Sequence, residues 1–218
     1  FKVKLAQNNT GLHGIGQFSI EDDDSSADMV KKIFETSVTQ IMKVRNYLDE
    51  QQIARAVDAL MKSKRVEFYG FGASSAVAMD GMHKFFRLQY GSVAYSDPHM
   101  QSMSAVTLQK DDIVVAISQS GRTKDLLHAM EIAKQQGAHV ISLAPPHTPV
   151  SDLADLPIHV HINEDTDVFT PMTSRITHLL VIDCLAVGVA QRKGPEFHEH
   201  LTKIKDSLGS LRLSDEGN

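Results

Sequence analysis

Cysteine is nearly missing. Cys184 is the only one, so no intrachain disulfide can form, and its place in the apolar run Leu179-Leu-Val-Ile-Asp-Cys-Leu-Ala-Val187 gives it the role of a small buried side chain. A reducing, cytoplasmic setting is expected. No apolar run approaches the length that spans a bilayer, and Phe1-Lys-Val-Lys-Leu-Ala-Gln7 has no signal-peptide core, so neither export nor a membrane partner is expected. Positive charge is not in excess either. With a formal net charge of -5 the chain has no bulk attraction for nucleic acid, so a DNA partner would have to be held by residues outside these 218.

Other signatures are incomplete. The Gly-x-Gly at Gly70 and Gly72 lacks the third glycine of a dinucleotide fingerprint, and no acidic residue ends the next strand, so no cofactor is expected. His159 and His161 alternate along a predicted strand and share a face, but no third ligand lies nearby in sequence, and His198 and His200 sit two apart on a helix and point apart. No metal site is expected.

What is present is a core. At 218 residues with 42% hydrophobic content, the chain suits one sizeable domain with appendages. The stretch Asp112-Ile-Val-Val-Ala-Ile-Ser-Gln-Ser-Gly-Arg-Thr-Lys-Asp-Leu-Leu126 organises it. Ile113 to Ile117 is apolar and β-branched without alternation, as in a strand covered on both faces of a parallel sheet. Ser118, Ser120 and Thr123 then supply hydroxyls, Gly121 permits a tight turn, and Thr123 can cap a helix running towards Gln136. A phosphate at such a helix start meets free N–H groups, the positive end of the helix dipole and several hydroxyls. The same residues also suit a capped turn that binds nothing.

Around this stretch the pattern repeats. Residues 1–24 carry Gly11, Gly14, Gly16 and the acidic run Glu21-Asp-Asp-Asp24, and read as a linker. From Asp28 to Leu48 apolar residues recur at helical spacing, and Asp49 with Gln52 resembles a capping box opening a second helix. Val66 to Phe71 reads as the first strand, followed by Gly72-Ala-Ser-Ser75 and a helix from about Ala76 to Tyr90. Ser92 to Tyr95, His139 to Leu143 and Ile158 to Ile162 read as further strands, with Pro157 at the entrance of the last. Pro171 to Gln191 and Pro195 to Leu208 read as the closing helices. Strands alternating with helices predict an α/β fold: a three-layer αβα sandwich with a five-stranded parallel sheet and the N-terminal helices packed on it. Its ligand site is expected beyond the carboxyl ends of the strands, where both Ser-Gly turns fall.

Two βα turns, Gly70-Phe-Gly-Ala-Ser-Ser75 and Ser118-Gln-Ser-Gly-Arg-Thr123, precede Thr170-Pro-Met-Thr-Ser-Arg175 at the head of a long helix. Together they resemble the sugar isomerase (SIS) domain, flavodoxin-like in fold, over roughly Ser25 to Arg192. Gly81-Met-His-Lys-Phe-Phe86 and Ser174-Arg-Ile-Thr-His178 are similar to SIS domains of RpiR-type transcriptional regulators, the HexR group above all. The resemblance implies a tail of an upstream helix-turn-helix domain and linker over 1–24, the SIS domain over 25–208 and a flexible tail over 209–218. It further implies a homodimeric repressor of glucose and central carbon metabolism, whose effector is a phosphorylated sugar acid, 2-keto-3-deoxy-6-phosphogluconate in HexR.

Carried over by motif, Ser74 and Ser75 match the ligand serines of the first turn, and Ser118, Ser120 and Thr123 match the phosphate-binding hydroxyls of the second. Gln119 and Gly121 complete that loop with backbone N–H groups. Lys84, deeper in the first βα helix, is a candidate point charge for phosphate or carboxylate. Catalytic relatives carry a glutamate after the second strand; here Ser96-Asp-Pro-His-Met-Gln-Ser102 has none. His99 is a candidate base there with Asp97 near it, and Asp97 before Pro98 is explained as a helix cap. Sensing is therefore expected rather than catalysis, with a His99-dependent phosphosugar isomerase as the alternative.

Overall fold

The computed structural model describes Phe18, residues 20–164 and residues 172–209. Five parallel strands form one sheet in the order β2-β1-β3-β4-β5: β1 Arg65–Gly70, β2 Gly91–Tyr95, β3 Ile113–Ile117, β4 His139–Ala144 and β5 Leu156–His159. Helices α1 (Ser26–Tyr47), α2 (Glu50–Lys62), α3 (Ala73–Arg87), α7 (Thr173–Lys193) and α8 (Glu196–Gly209) are joined by one apolar cluster to one face. Helices α4 (Pro98–Thr107), α5 (Lys124–Gln135) and α6 (Pro149–Leu153) cover the other. The predicted three-layer αβα architecture is present.

The pleat explains why β3 shows no alternation in sequence. Ile113, Val115 and Ile117 enter the first cluster while Val114 and Ala116 enter the second, so all five residues are buried. Helix starts follow local chemistry. Ser25 and Asp28 form a reciprocal capping box on α1, and Asp97 accepts the Met100 N–H at 2.9 Å with Pro98 at the first position of α4. At Asp49 only half of the expected box forms: its carboxylate accepts from the Gln51 and Gln52 N–H groups. Glu67, wholly buried in β1, accepts from Tyr69 at 2.5 Å and Ser104 at 2.8 Å and pairs with Arg65, which ties α4 to the sheet.

Several details differ from the sequence reading. Cys184 is exposed, because it lies on the outer side of α7 while Val181, Ile182, Leu185 and Val189 take the core side. Helix α7 does reach the length and apolarity of a membrane span, with mean hydropathy 1.4 in its best window, and the fold uses it as a core helix packed on α2 and α3. The first βα helix starts at Ala73, directly after Gly72. β5 begins at Leu156, so Pro157 lies inside the strand, opposite Ser142, tolerated because β5 is an edge. The chain leaves the ladder after His159, and the short helix α6 went unpredicted.

The apolar stripe of α1 is largely uncovered. Val30, Phe34 and Val38 are 52%, 69% and 57% exposed, and Val44 is the one buried residue of the helix. In the linker, Phe18 and Ile20 are buried and Asp24 pairs with Lys32. The proposed helix-turn-helix tail at Phe1 to Gln7 and the tail after 209 lie outside the described residues.

Candidate functional site

β1 and β3 are neighbours whose connections run in opposite directions, α3 to β2 at one edge and α5 to β4 towards the other. A crevice opens where strand order reverses in this way, beyond the carboxyl ends of the two strands. Three chain segments meet there.

The β3–α5 turn is the first. Ser118 continues β3, its N–H donating to Leu143 O at 3.0 Å, and its Oγ accepts the Gly121 N–H at 3.0 Å and lies 3.4 Å from Thr123 Oγ1. Gly121 has φ +64°, and a Cβ there would lie 2.1 Å from Thr148 Oγ1, so only glycine fits. Thr148 is held by its bond to Pro145 O, and Val150 N–H returns to Gly121 O. Thr123 stands at the N-cap of α5 but does not cap it with its side chain, so the helix head lacks a side-chain cap among the described residues. Ser120 is exposed in a cleft of about 470 Å³ shared with Gln119, Arg122, Thr148, His161 and Glu164. Hydroxyls, an uncapped helix head and a cleft of ligand size are the chemistry that can receive an anion.

The β1–α3 turn is the second. Ser75 Oγ donates to Gly72 O at 2.6 Å, which closes its own turn, whereas Ser74 borders a small cavity with Gln119, Ser174 and His178. The third is the head of α7. There the Glu164 carboxylate accepts the N–H groups of Met172, Thr173 and Ser174 at 2.7, 2.9 and 3.3 Å, and the Ser174 hydroxyl at 2.5 Å. Behind it His178 is 1% exposed, and burial pushes its imidazole down to about 4, against the opposing pull of the Glu164 charge.

Gln119 joins these segments. Its Nε2 donates to Ile162 O at 2.9 Å, one residue after His161, whose backbone N–H and C=O both bond the Tyr47 hydroxyl of α1. Of the residues named from sequence, the fold gathers Ser74, Ser118, Gln119, Ser120, Gly121 and Thr123 at the crevice. Lys84 stands elsewhere, some 16 Å along α3 from Ala73 by helical rise, in ion pairs with Asp80 at 2.6 Å and Asp183 at 3.0 Å. His99 is exposed at the start of α4. Glu164, Thr148 and the interior position of His178 were missed. No local pattern marks a carboxylate eight to ten residues ahead of the N–H groups that it binds.

The SIS domain model matches residues 59–188. The chain belongs to the SIS family. It is 39% identical over 213 residues to the HTH-type transcriptional regulator HexR of Escherichia coli K12, a match covering 98% of this chain and 74% of that protein. It is also 39% identical over 196 residues to the bifunctional protein glk of Paraburkholderia xenovorans, covering 88% of this chain and 30% of that protein. The solved structure of Vibrio vulnificus NanR complexed with ManNAc-6P superimposes with TM-score 0.80 at 23% identity, covering 87% of this chain and 72% of that one. Among SIS domains, this one is of the RpiR-family regulator type, related to HexR, and its place in such regulators is that of the effector-binding domain.

Proposed function

We propose that this domain senses a phosphorylated sugar acid, 2-keto-3-deoxy-6-phosphogluconate by analogy with HexR, and thereby controls a repressor of glucose and central carbon metabolism. The observation that carries the reading is the β3–α5 turn, in which Ser118, Ser120 and Thr123 surround an uncapped helix head. Ser118, Ser120 and Thr123 hold the phosphate, with the backbone N–H groups of Gln119 and Ser120; the Gly121 N–H, expected from the sequence to join them, is engaged by Ser118 Oγ; Ser74 and Gln119 face the sugar. DNA is bound by an upstream helix-turn-helix domain in the cytoplasm, and the domain works as a homodimer without catalysis.

Two features support this over an isomerase. The segment Ser96 to Ser102 offers the exposed His99 and an Asp97 taken up as the α4 cap, and both oxygens of Glu164 are already engaged by four donors. The dimer accounts for α1: its exposed Val30, Phe34 and Val38, with Leu180 and Val187 of α7, form apolar surface that a second copy would cover. Since Tyr47 of α1 grips the backbone of His161 next to the Gln119 contact, ligand and subunit packing share a structural element. A change in packing then alters the spacing of the DNA-binding heads.

A thermal-shift screen of sugar phosphates and sugar-acid phosphates, with NMR assay of turnover on every hit, tests the reading. A ligand at one hundred times its dissociation constant is expected to add about 2.7 kcal/mol, with no product formed. Turnover that is lost in His99→Ala would establish the isomerase instead.

A further inference from the structure

The head of α7 already binds an anion, and the anion is the chain's own. Three backbone N–H groups and one hydroxyl converge on the two oxygens of Glu164, an arrangement that receives any carboxylate. More than a helix cap is built here. Thr173 Oγ1, His178 Nε2 and Gln119 Oε1 are buried without a hydrogen-bond partner among the described residues, Thr173 and His178 being 0% and 1% exposed. A buried polar atom left unpaired is costly, and two of these residues, Gln119 and His178, border one cavity beside the head of α7, which calls for a polar visitor there. The cavity bordered by Ser74, Gln119, Ser174 and His178 holds about 10 Å³, at the lower limit for one water.

The location ties this cluster to the phosphate cradle. Gln119 borders the small cavity with Ser174 and His178, and it also lines the 470 Å³ cleft together with Ser120 and Glu164. A ligand of sugar size lying in that cleft has the 118–123 turn on one side and the Glu164 carboxylate on the other. We infer that the head of α7 is the carboxylate subsite of the effector, that Glu164 is its internal stand-in, and that the bound sugar acid displaces Glu164 from the N–H groups of residues 172–174. The inference rests on the phosphosugar-sensing reading and adds the second pole of the ligand. Displacement exchanges one carboxylate for another in the same donor cage, so the selectivity comes from the charge and shape of the ligand end; a neutral hydroxymethyl group cannot take the place of Glu164. His178, neutral near pH 7, offers Nε2 to a hydroxyl or keto oxygen beside that carboxylate.

The test is isothermal titration of the whole chain at neutral pH with 6-phosphogluconate and glucitol 6-phosphate, which differ only in a carboxylate against a hydroxymethyl group. The wild type is expected to prefer 6-phosphogluconate by about tenfold or more, the scale of one charge-assisted hydrogen bond. In Glu164→Ala, with the competitor gone, affinity for 6-phosphogluconate rises by about fivefold or more while that for glucitol 6-phosphate stays within about twofold. Glu164→Gln, which keeps an acceptor for the helix head and loses the charge, shifts the preference in the same direction and guards against a folding defect in the alanine variant. Equal binding of the two compounds by wild type, or a parallel loss of both in the Glu164 variants, overturns the carboxylate subsite and leaves the phosphate cradle standing. Binding of neither compound to any variant overturns both.

Discussion

Two helix heads face the same crevice and are treated in opposite ways. At α5 the capping position holds Thr123, whose side chain turns to Ser118 instead of the helix, so the anion-seeking end is left to whatever enters the cleft. At α7 the equivalent end is closed by Glu164 from a separate segment. The difference teaches that a helix dipole marks a site only when the chain leaves it unsatisfied or satisfies it with something exchangeable. On the proposed reading, one head receives a phosphate and the other is charge-neutralised until the carboxylate of the ligand arrives.

The contrast depends first on the shape of the β3–α5 turn. Gly121→Ala adds a Cβ 2.1 Å from Thr148 Oγ1 at φ +64°, and strain with overpacking is expected to cost about 4 kcal/mol and to abolish ligand binding. Denaturant unfolding with a titration on the folded fraction checks this; wild-type affinity in that variant would show that the turn does not shape the site.

A slightly smaller effect comes from the α7 side through pH. His178 is held neutral when folded, to about 4, while an unfolded histidine protonates near its ordinary 6.5. Between those values the unfolded chain binds more protons than the folded one, so stability contributed by the neutral imidazole is full above about pH 6.5 and is lost as pH falls towards 4. The loss amounts to about 3 kcal/mol at most. Chemical denaturation across that window should show the decline, and His178→Gln should remove it. A wild-type curve matching the variant throughout would contradict the buried neutral state.

The smallest effect concerns Lys84, which pairs with Asp80 and Asp183 away from both heads. Lys84→Met should cost about 1 kcal/mol or less in stability and leave ligand affinity within about twofold. A loss of affinity as large as in a cradle variant would return Lys84 to the site.

The reach of the sequence follows from how local each feature is. The β3–α5 turn was legible because Ser118, Ser120, Gly121 and Thr123 are contiguous and follow an unmistakable buried strand. The sheet was legible for the same reason. Glu164, Thr148 and His178 were not, since each acquires its partner through the fold: Thr148 meets Gly121 only when β4 lies beside β3, and Glu164 meets α7 only after the chain leaves β5. Lys84 looked available because its carboxylate partner on α7 lies far along the chain. Cys184 looked buried because an apolar run does not say which side of a helix faces the core, and the periodicity of α1 reported an apolar face without naming its cover.

The central claim is that the β3–α5 turn is the phosphate pole. It is tested most directly by titrating 6-phosphogluconate and gluconate into the wild type and into Ser118→Ala and Ser120→Ala. The account predicts binding of the phosphorylated compound alone, weakened by about 1.5 to 3 kcal/mol in each variant with the fold intact. Equal binding with and without phosphate, or unchanged affinity in both variants, would contradict it.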